Sequence, residues 1–180
     1  MTTANKLTLL RMALIPVFLG VLYAGFSGSR YVALGVFIAA SLTDMLDGYV
    51  ARHYNQITNF GKFMDPLADK VLVMAAMCWF VEIGQMPGWA LAVVLLREFA
   101  VSGMRLVAVE QGRVIAAGWS GKVKTASTMV CLCLMMLLDE SWMPIPRTLN
   151  VLCIAIIVLT TVYSGVEYFI QNRDVFKDVD

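Results

Sequence analysis

Histidine is almost missing from this chain. His53 is the single one in 180 residues, and it falls in a short polar stretch, where it reads as a solvated loop residue with no catalytic role. Cysteine is sparse as well. Cys78, Cys131, Cys133 and Cys153 all sit inside apolar runs, and no CxxC or other ligand spacing joins them, so they read as membrane-buried thiols rather than disulfide partners. Charged residues make up only 15% of the chain against 59% apolar ones, with a mean hydropathy of +0.74. Soluble domains run nearer half apolar, so an all-α integral membrane protein is expected. The net charge of +1 offers no basic surface for nucleic acid. Linkers, internal repeats and a second domain are likewise absent, and residues 1–180 read as one domain.

What is present is apolar sequence in lengths suited to a bilayer, which takes about 20 residues per helix. Six spans are expected: Leu7–Gly25, Tyr31–Ala51, Phe60–Ile83, Pro87–Ala108, Thr125–Leu138 with its flanks, and Ile145–Ile170. A short interfacial segment precedes the first. Lys6 and Arg11 before the run from Met12 to Tyr23 resemble the start of a signal peptide, but no small-x-small cleavage site follows, and a retained span is expected. Lysine and arginine are unevenly spread. With the N-terminus inside, the cytoplasmic side receives Lys6, Arg11, Arg52, Lys62, Arg105, Arg113, Lys122, Lys124, Arg173 and Lys177, and the other side only Arg30 and Arg147. Both termini are therefore expected in the cytoplasm, in a multi-pass membrane protein. Trp79, Trp89 and Trp142 fall near the outer ends, as interface aromatics do.

Against this background the stretch SLTDMLDGYVARHYNQITNFGKFMDPLADK, residues 41–70, stands out. Asp44 and Asp47 are three apart and Asp65 and Asp69 four apart, so on helices each pair shares a face. The polar connection Arg52–Phe60 suits a tight turn between antiparallel helices, bringing the four carboxylates to one end of a hairpin. Asp44 lies about 20 Å of helix beyond Tyr31, within the inner part of the membrane. Charge at that depth marks a cavity or a partner. Crowded carboxylates need cations between them, and an oxygen-only set suits Mg²⁺ or Mn²⁺ rather than zinc.

Written as a pattern, the stretch is Asp44-x-x-Asp47-Gly48-x-x-Ala51-Arg52, eight residues, Gly61-x-x-x-Asp65-x-x-x-Asp69. It resembles the complete signature of the CDP-alcohol phosphotransferases, with eight fixed residues across twenty-six positions. The resemblance implies that Asp44, Asp47 and Asp65 hold one or two divalent ions on the diphosphate of a CDP-linked lipid. Asp69 is implied as general base on the acceptor hydroxyl, with metal contact of its own. Gly48, Ala51 and Gly61 would let cytidine and diphosphate approach the backbone, and Arg52 would meet the nucleotide. Asn5 and Thr8, with Arg11, would close the cytoplasmic mouth of a polar cavity. Family members are dimers, so a homodimer is implied as well.

The motif does not name the acceptor alcohol, and the remaining intramembrane charge bears on it. In LLREFAVSGMRLVAVEQG, Glu98, Ser102 and Arg105 share one helical stripe, with Arg97 adjacent. Lys70 follows Asp69 directly, and Gly121-Lys122-Val123-Lys124-Thr125 opens the fifth span. Such positive charge suits a phosphorylated acceptor, with Lys70, Arg105, Lys122, Lys124 and Arg11 as its phosphate-binding set. Asn5 to Arg11 with Pro16, Arg97-Glu98-Phe99, Gly103 to Arg105 and Gly121 to Thr125 extend the resemblance to family members that use sn-glycerol 3-phosphate. The implied reaction takes CDP-diacylglycerol and sn-glycerol 3-phosphate to phosphatidylglycerophosphate and CMP. Its rivals are an inositol phosphate acceptor, a phosphatidylglycerol acceptor as in cardiolipin synthesis, and, from another class, an ion-coupled transporter. The transporter reading lacks the repeated halves such proteins show.

Overall fold

The computed structural model describes the backbone of residues 3–53, 59–113, 115–116, 118–138 and 147–176, and their side chains except at 3–8, 11, 44–53, 59–69, 147 and 176. The described chain is helical: α1 Thr3–Tyr23, α2 Ser29–His53, α3 Asn59–Glu82, α4 Gly88–Glu110, α5 Trp119–Leu137 and α6 Arg147–Gln171, with a 3-10 turn at Arg173–Phe176. Each expected span has its helix. The largest shift is at α5, which begins six residues before Thr125 and takes in the Gly121–Lys124 basic segment. Hydropathy alone ends a span at such charges. Here Lys124 is buried on a carboxylate, so the helix runs on through it. His53 is the last residue of α2 rather than a loop residue.

Glycine sets two of the helix ends. Gly84 and Gly112 have φ of 73°, a left-handed conformation that costs glycine nothing. After α4, the Gly112 amide donates to Val109 O at 2.9 Å and the Arg113 amide to Ala108 O at 2.8 Å. After α3, the Gly84 amide donates to Val81 O and the Gln85 amide to Phe80 O. Both are Schellman closures, which satisfy carbonyls the helix leaves open.

The fold divides into two compact units, Met1–Trp79 with Met136–Pro144, and Phe80–Met135 with Ile145–Asp180. In the first, α1 packs on α2 through Phe18 and Phe37, both fully buried with rings 5.8 Å apart. Trp79 belongs to this interior: it is 6% exposed, with the Arg30 guanidinium 4.9 Å from its ring centre. The ring there serves as the bed for a cation. Trp89 is exposed, and Trp142 lies outside the described residues.

In the second unit α4 packs on α6 and on the 3-10 turn. Val101, Met104, Ala108, Tyr168 and Val175 form its buried cluster. The opposite face of α4 is apolar too: Leu96, Phe99, Leu106 and Val109 are all well exposed. A helix apolar on opposite faces calls for an apolar medium outside as well as inside. Among the described residues, Thr148–Gln171 is long and apolar enough by itself to cross a membrane, while Met12–Tyr23 and Ser29–Thr43 are shorter apolar stretches. The four cysteines are free thiols.

Candidate active site

In the first unit the candidate residues are carried by consecutive helices. Asp44, Asp47, Gly48, Ala51 and Arg52 occupy the last three turns of α2, and Gly61, Asp65 and Asp69 the first three of α3. Helical backbone at both places preserves the three- and four-residue spacings that put each aspartate pair on one face. The side chains of these eight residues, and those of Asn5, Thr8 and Arg11 on α1, lie outside the described ones. Upstream on α2, Ser41 Oγ donates to Phe37 O at 2.8 Å and Thr43 Oγ1 to Ala39 O at 2.7 Å. These hydroxyls are tied to carbonyls of their own helix. Lys70, next to Asp69, is half-buried.

No group of three or more His, Cys, Asp or Glu able to hold a metal occurs among the described residues. The four aspartates of the sequence motif are carried on regular helix, and a set of carboxylate oxygens has the chemistry that suits a hard divalent ion.

The second unit holds the other charged candidates, and its geometry separates what the sequence put on one stripe. Glu98 Oε1 accepts from Arg97 Nη1 and from Lys124 Nζ, each at 2.8 Å. The three side chains are 12%, 13% and 6% exposed. Arg105, two turns further along α4, turns instead to α6: its Nε donates to the Tyr168 hydroxyl at 3.0 Å, with the guanidinium 5.5 Å from that ring. Lys122 is exposed, its Nζ 6.0 Å from the Trp119 ring centre. Lys124 and Arg105 are thus fixed by partners, whereas Lys122 stands at the surface.

Two glycines shape the seat of Arg97. A Cβ on Gly165 of α6 would come 3.1 Å from Arg97 Cγ, and one on Gly121 of α5 3.5 Å from Arg97 Nη2. The arginine crosses α5 and α6 where both lack a side chain. Its Nε is buried with no hydrogen-bond partner among the described residues. We expect Gly165→Ala to lower stability by about 1–2 kcal/mol through overpacking. Gly20→Ala, with nothing within 4 Å of the new methyl, should be neutral or stabilising by about 0.5 kcal/mol. Thermal unfolding of the two purified variants in the same detergent checks the contrast.

Sequence reasoning did not find Tyr168 or the Gly165 notch. Both depend on which face of α6 meets α4, and an apolar helix does not announce that. The one available signal was Gly165 itself, a small residue amid bulky ones.

Comparison with known proteins extends the resemblance. The chain matches the CDP-alcohol phosphatidyltransferase family over residues 1–164. It is 40% identical, across 96% of both chains, to the CDP-diacylglycerol–glycerol-3-phosphate 3-phosphatidyltransferase of Bacillus subtilis (strain 168). It is 39% identical to a probable phosphatidylglycerophosphate synthase of Mycobacterium tuberculosis (strain CDC 1551 / Oshkosh), over 92% of this chain and 78% of that one. A CDP-diacylglycerol–glycerol-3-phosphate 3-phosphatidyltransferase of Shigella flexneri serotype 5b (strain 8401) is 35% identical over 93% of this chain and 92% of its own. With its aspartates on two consecutive helices and a match that runs through five of its six helices and into the last, the chain belongs to the membrane-bound CDP-alcohol phosphatidyltransferase family.

Proposed function

We propose that this protein transfers the phosphatidyl group of CDP-diacylglycerol to sn-glycerol 3-phosphate, giving phosphatidylglycerophosphate and CMP. The observation that carries the reading is the near full-length match to relatives named for that activity, in a chain that fills every fixed position of the aspartate motif. We place it as one catalytic domain in a bacterial inner membrane, with six spans, both termini and the aspartates on the cytoplasmic side, and two copies per functional unit. The strong inward bias of lysine and arginine supports the orientation.

In this reading Asp44, Asp47, Asp65 and Asp69 hold Mg²⁺ or Mn²⁺, one or two ions, which when bound neutralise the diphosphate and the charge that develops on departing CMP. Gly48, Ala51 and Gly61 leave room for the nucleotide and diphosphate, and Arg52, Asn5 and Thr8 contact the CDP end. The Asp69 carboxylate takes the proton from the acceptor hydroxyl. That oxygen forms its bond to the phosphorus bearing the diacylglycerol, and the bond from this phosphorus to the CMP oxygen breaks, its electron pair leaving with CMP. Arg105, Lys124, Lys122, Lys70 and Arg11 are the cations assigned to the acceptor's phosphate. For Arg105 the support is its fixed guanidinium: one nitrogen is held by Tyr168, and the others can serve a phosphate.

The test is purified protein with labelled CDP-diacylglycerol and a panel of alcohols, with and without chelator. Metal-dependent CMP release with glycerol 3-phosphate alone supports the reading. Product only with inositol phosphate or with phosphatidylglycerol replaces it by another member of the family, and no CMP release with any alcohol removes the enzymatic reading. Arg105→Ala should raise the KM for glycerol 3-phosphate about 10–100-fold, the worth of a charged hydrogen bond, and leave that for CDP-diacylglycerol within a factor of about two. Equal effects on both substrates would count against an acceptor-phosphate contact.

A further inference from the structure

Helices α5 and α6 run antiparallel, joined across their middles by Ser127 Oγ and Thr160 Oγ1 at 3.2 Å. Toward the N-terminus of α5 they line a cavity of about 350 Å³. Its lining changes along the helix axes. Val123, Leu159 and Thr160 form the end nearer the hydroxyl contact, and Trp119, Tyr163 and Glu167 the other. The walls open outward: Trp119 is 78% exposed, Leu159 69% and Tyr163 66%. Among the described residues, none of the side chains assigned above to the reaction lines this cavity.

Glu167 is the anomaly in it. Its Oε1 accepts from Gln171 Nε2 at 2.9 Å, but its Oε2 is buried and has no hydrogen-bond partner among the described residues. A carboxylate oxygen left so is costly unless a donor or cation reaches it. The side chains around Glu167 offer aromatic faces, which also attract cations. Lys122 Nζ already lies over one of them, the Trp119 ring. The ring of Tyr163 lines the cavity with the carboxylate.

We propose that this cavity binds a phospholipid whose headgroup carries an ammonium, such as phosphatidylethanolamine. The ammonium meets the Glu167 carboxylate and the Tyr163 ring, and an acyl chain follows the apolar end past Leu159 and Val123. Two features decide for an amphiphile over a free amine. The lining runs from a charged, aromatic end to an apolar one, and its opening lies on the apolar exterior of α6, where Val162, Val166 and Ile170 are exposed. The carboxylate decides for an ammonium headgroup over an anionic one, since its free oxygen Oε2 calls for a donor or cation and disfavours a second anion such as phosphatidylglycerol.

The test is native mass spectrometry of the full chain, extracted from vesicles of equal phosphatidylethanolamine and phosphatidylglycerol. The unaltered protein should retain the amine lipid over the anionic one by about tenfold, the worth of a partly desolvated ammonium–aromatic and ammonium–carboxylate contact. Glu167→Gln should bring that ratio close to one, Tyr163→Leu should lower it severalfold with the carboxylate in place, and Leu159→Trp should reduce retention of the amine lipid by filling the groove. CMP release by each variant in detergent shows that it is folded. A ratio near one for the unaltered protein overturns the proposal, as does a ratio that survives Glu167→Gln in an active variant. Conversion of a dimer to monomer by Leu159→Trp, with the lipid ratio unchanged, assigns the groove to a second copy and overturns it too.

Discussion

Replacing Asp69 by asparagine should lower turnover about 10²–10⁴-fold, the range over which a positioned general base contributes, while CDP-diacylglycerol still binds within a factor of about two. The substitution removes the basic oxygen and keeps the shape. Three carboxylates, Asp44, Asp47 and Asp65, remain for the divalent ion and the diphosphate. Asp44→Asn should behave differently. It removes a metal donor without touching the base, so its loss should be partly recovered by raising Mg²⁺, and CDP-lipid binding should weaken with it. The separating measurement is a pair of titrations on each variant, one of CMP release against Mg²⁺ and one of CDP-diacylglycerol binding. Full recovery of Asp69→Asn by metal, or unchanged turnover in it, would remove the role of base from Asp69 and leave it a metal holder only. The backbone placement makes the comparison meaningful, because both residues sit on regular helix of the same unit and neither change adds a proline, a glycine or a volume.

The reach of the sequence ended at different points for the two halves of the chemistry. The aspartate motif is local: two short patterns on consecutive helices, with spacings that helical backbone converts into shared faces, so its reading needed nothing distant. The expected ends Ile83 and Ala108 fell within two residues of the observed ends of α3 and α4, where Gly84 and Gly112 supply the left-handed turn. The basic residues were a harder case. On a helical wheel Glu98 and Arg105 fall on one stripe, yet Glu98 is engaged by Arg97 and by Lys124 of α5, and Arg105 by Tyr168 of α6, sixty-three residues away. A stripe on a membrane helix is wide enough to meet two neighbours, and periodicity does not say which part meets which. The early start of α5 was lost for a related reason. A lysine reads as a boundary only until its counter-charge is known, and that counter-charge lies on another helix.

That same counter-charge gives the second large expected effect. Glu98→Ala should destabilise the protein by about 3–5 kcal/mol, because it leaves Arg97 and Lys124 as cations in a nearly enclosed place with their shared acceptor gone. The geometry explains why the loss exceeds that of an ordinary ion pair. One carboxylate oxygen receives both donors at 2.8 Å, and the glycine notch at Gly121 and Gly165 holds the arginine against withdrawal to an exposed rotamer. If uncompensated charge is the cause, removing a cation along with the carboxylate must restore stability. Glu98→Ala with Lys124→Met should therefore be more stable than Glu98→Ala alone, although it carries one more substitution. A cavity or a lost packing contact predicts the reverse, with the second change adding to the first. Thermal or denaturant unfolding of the two single variants and the double variant, in one detergent, completes the cycle. A double variant less stable than either single one would show that Glu98 acts by filling space and not by charge. Because Lys124 also stands among the cations assigned to the acceptor phosphate, the double variant should regain stability without regaining a normal KM for glycerol 3-phosphate, and that divergence separates the structural part of the cluster from its part in the reaction.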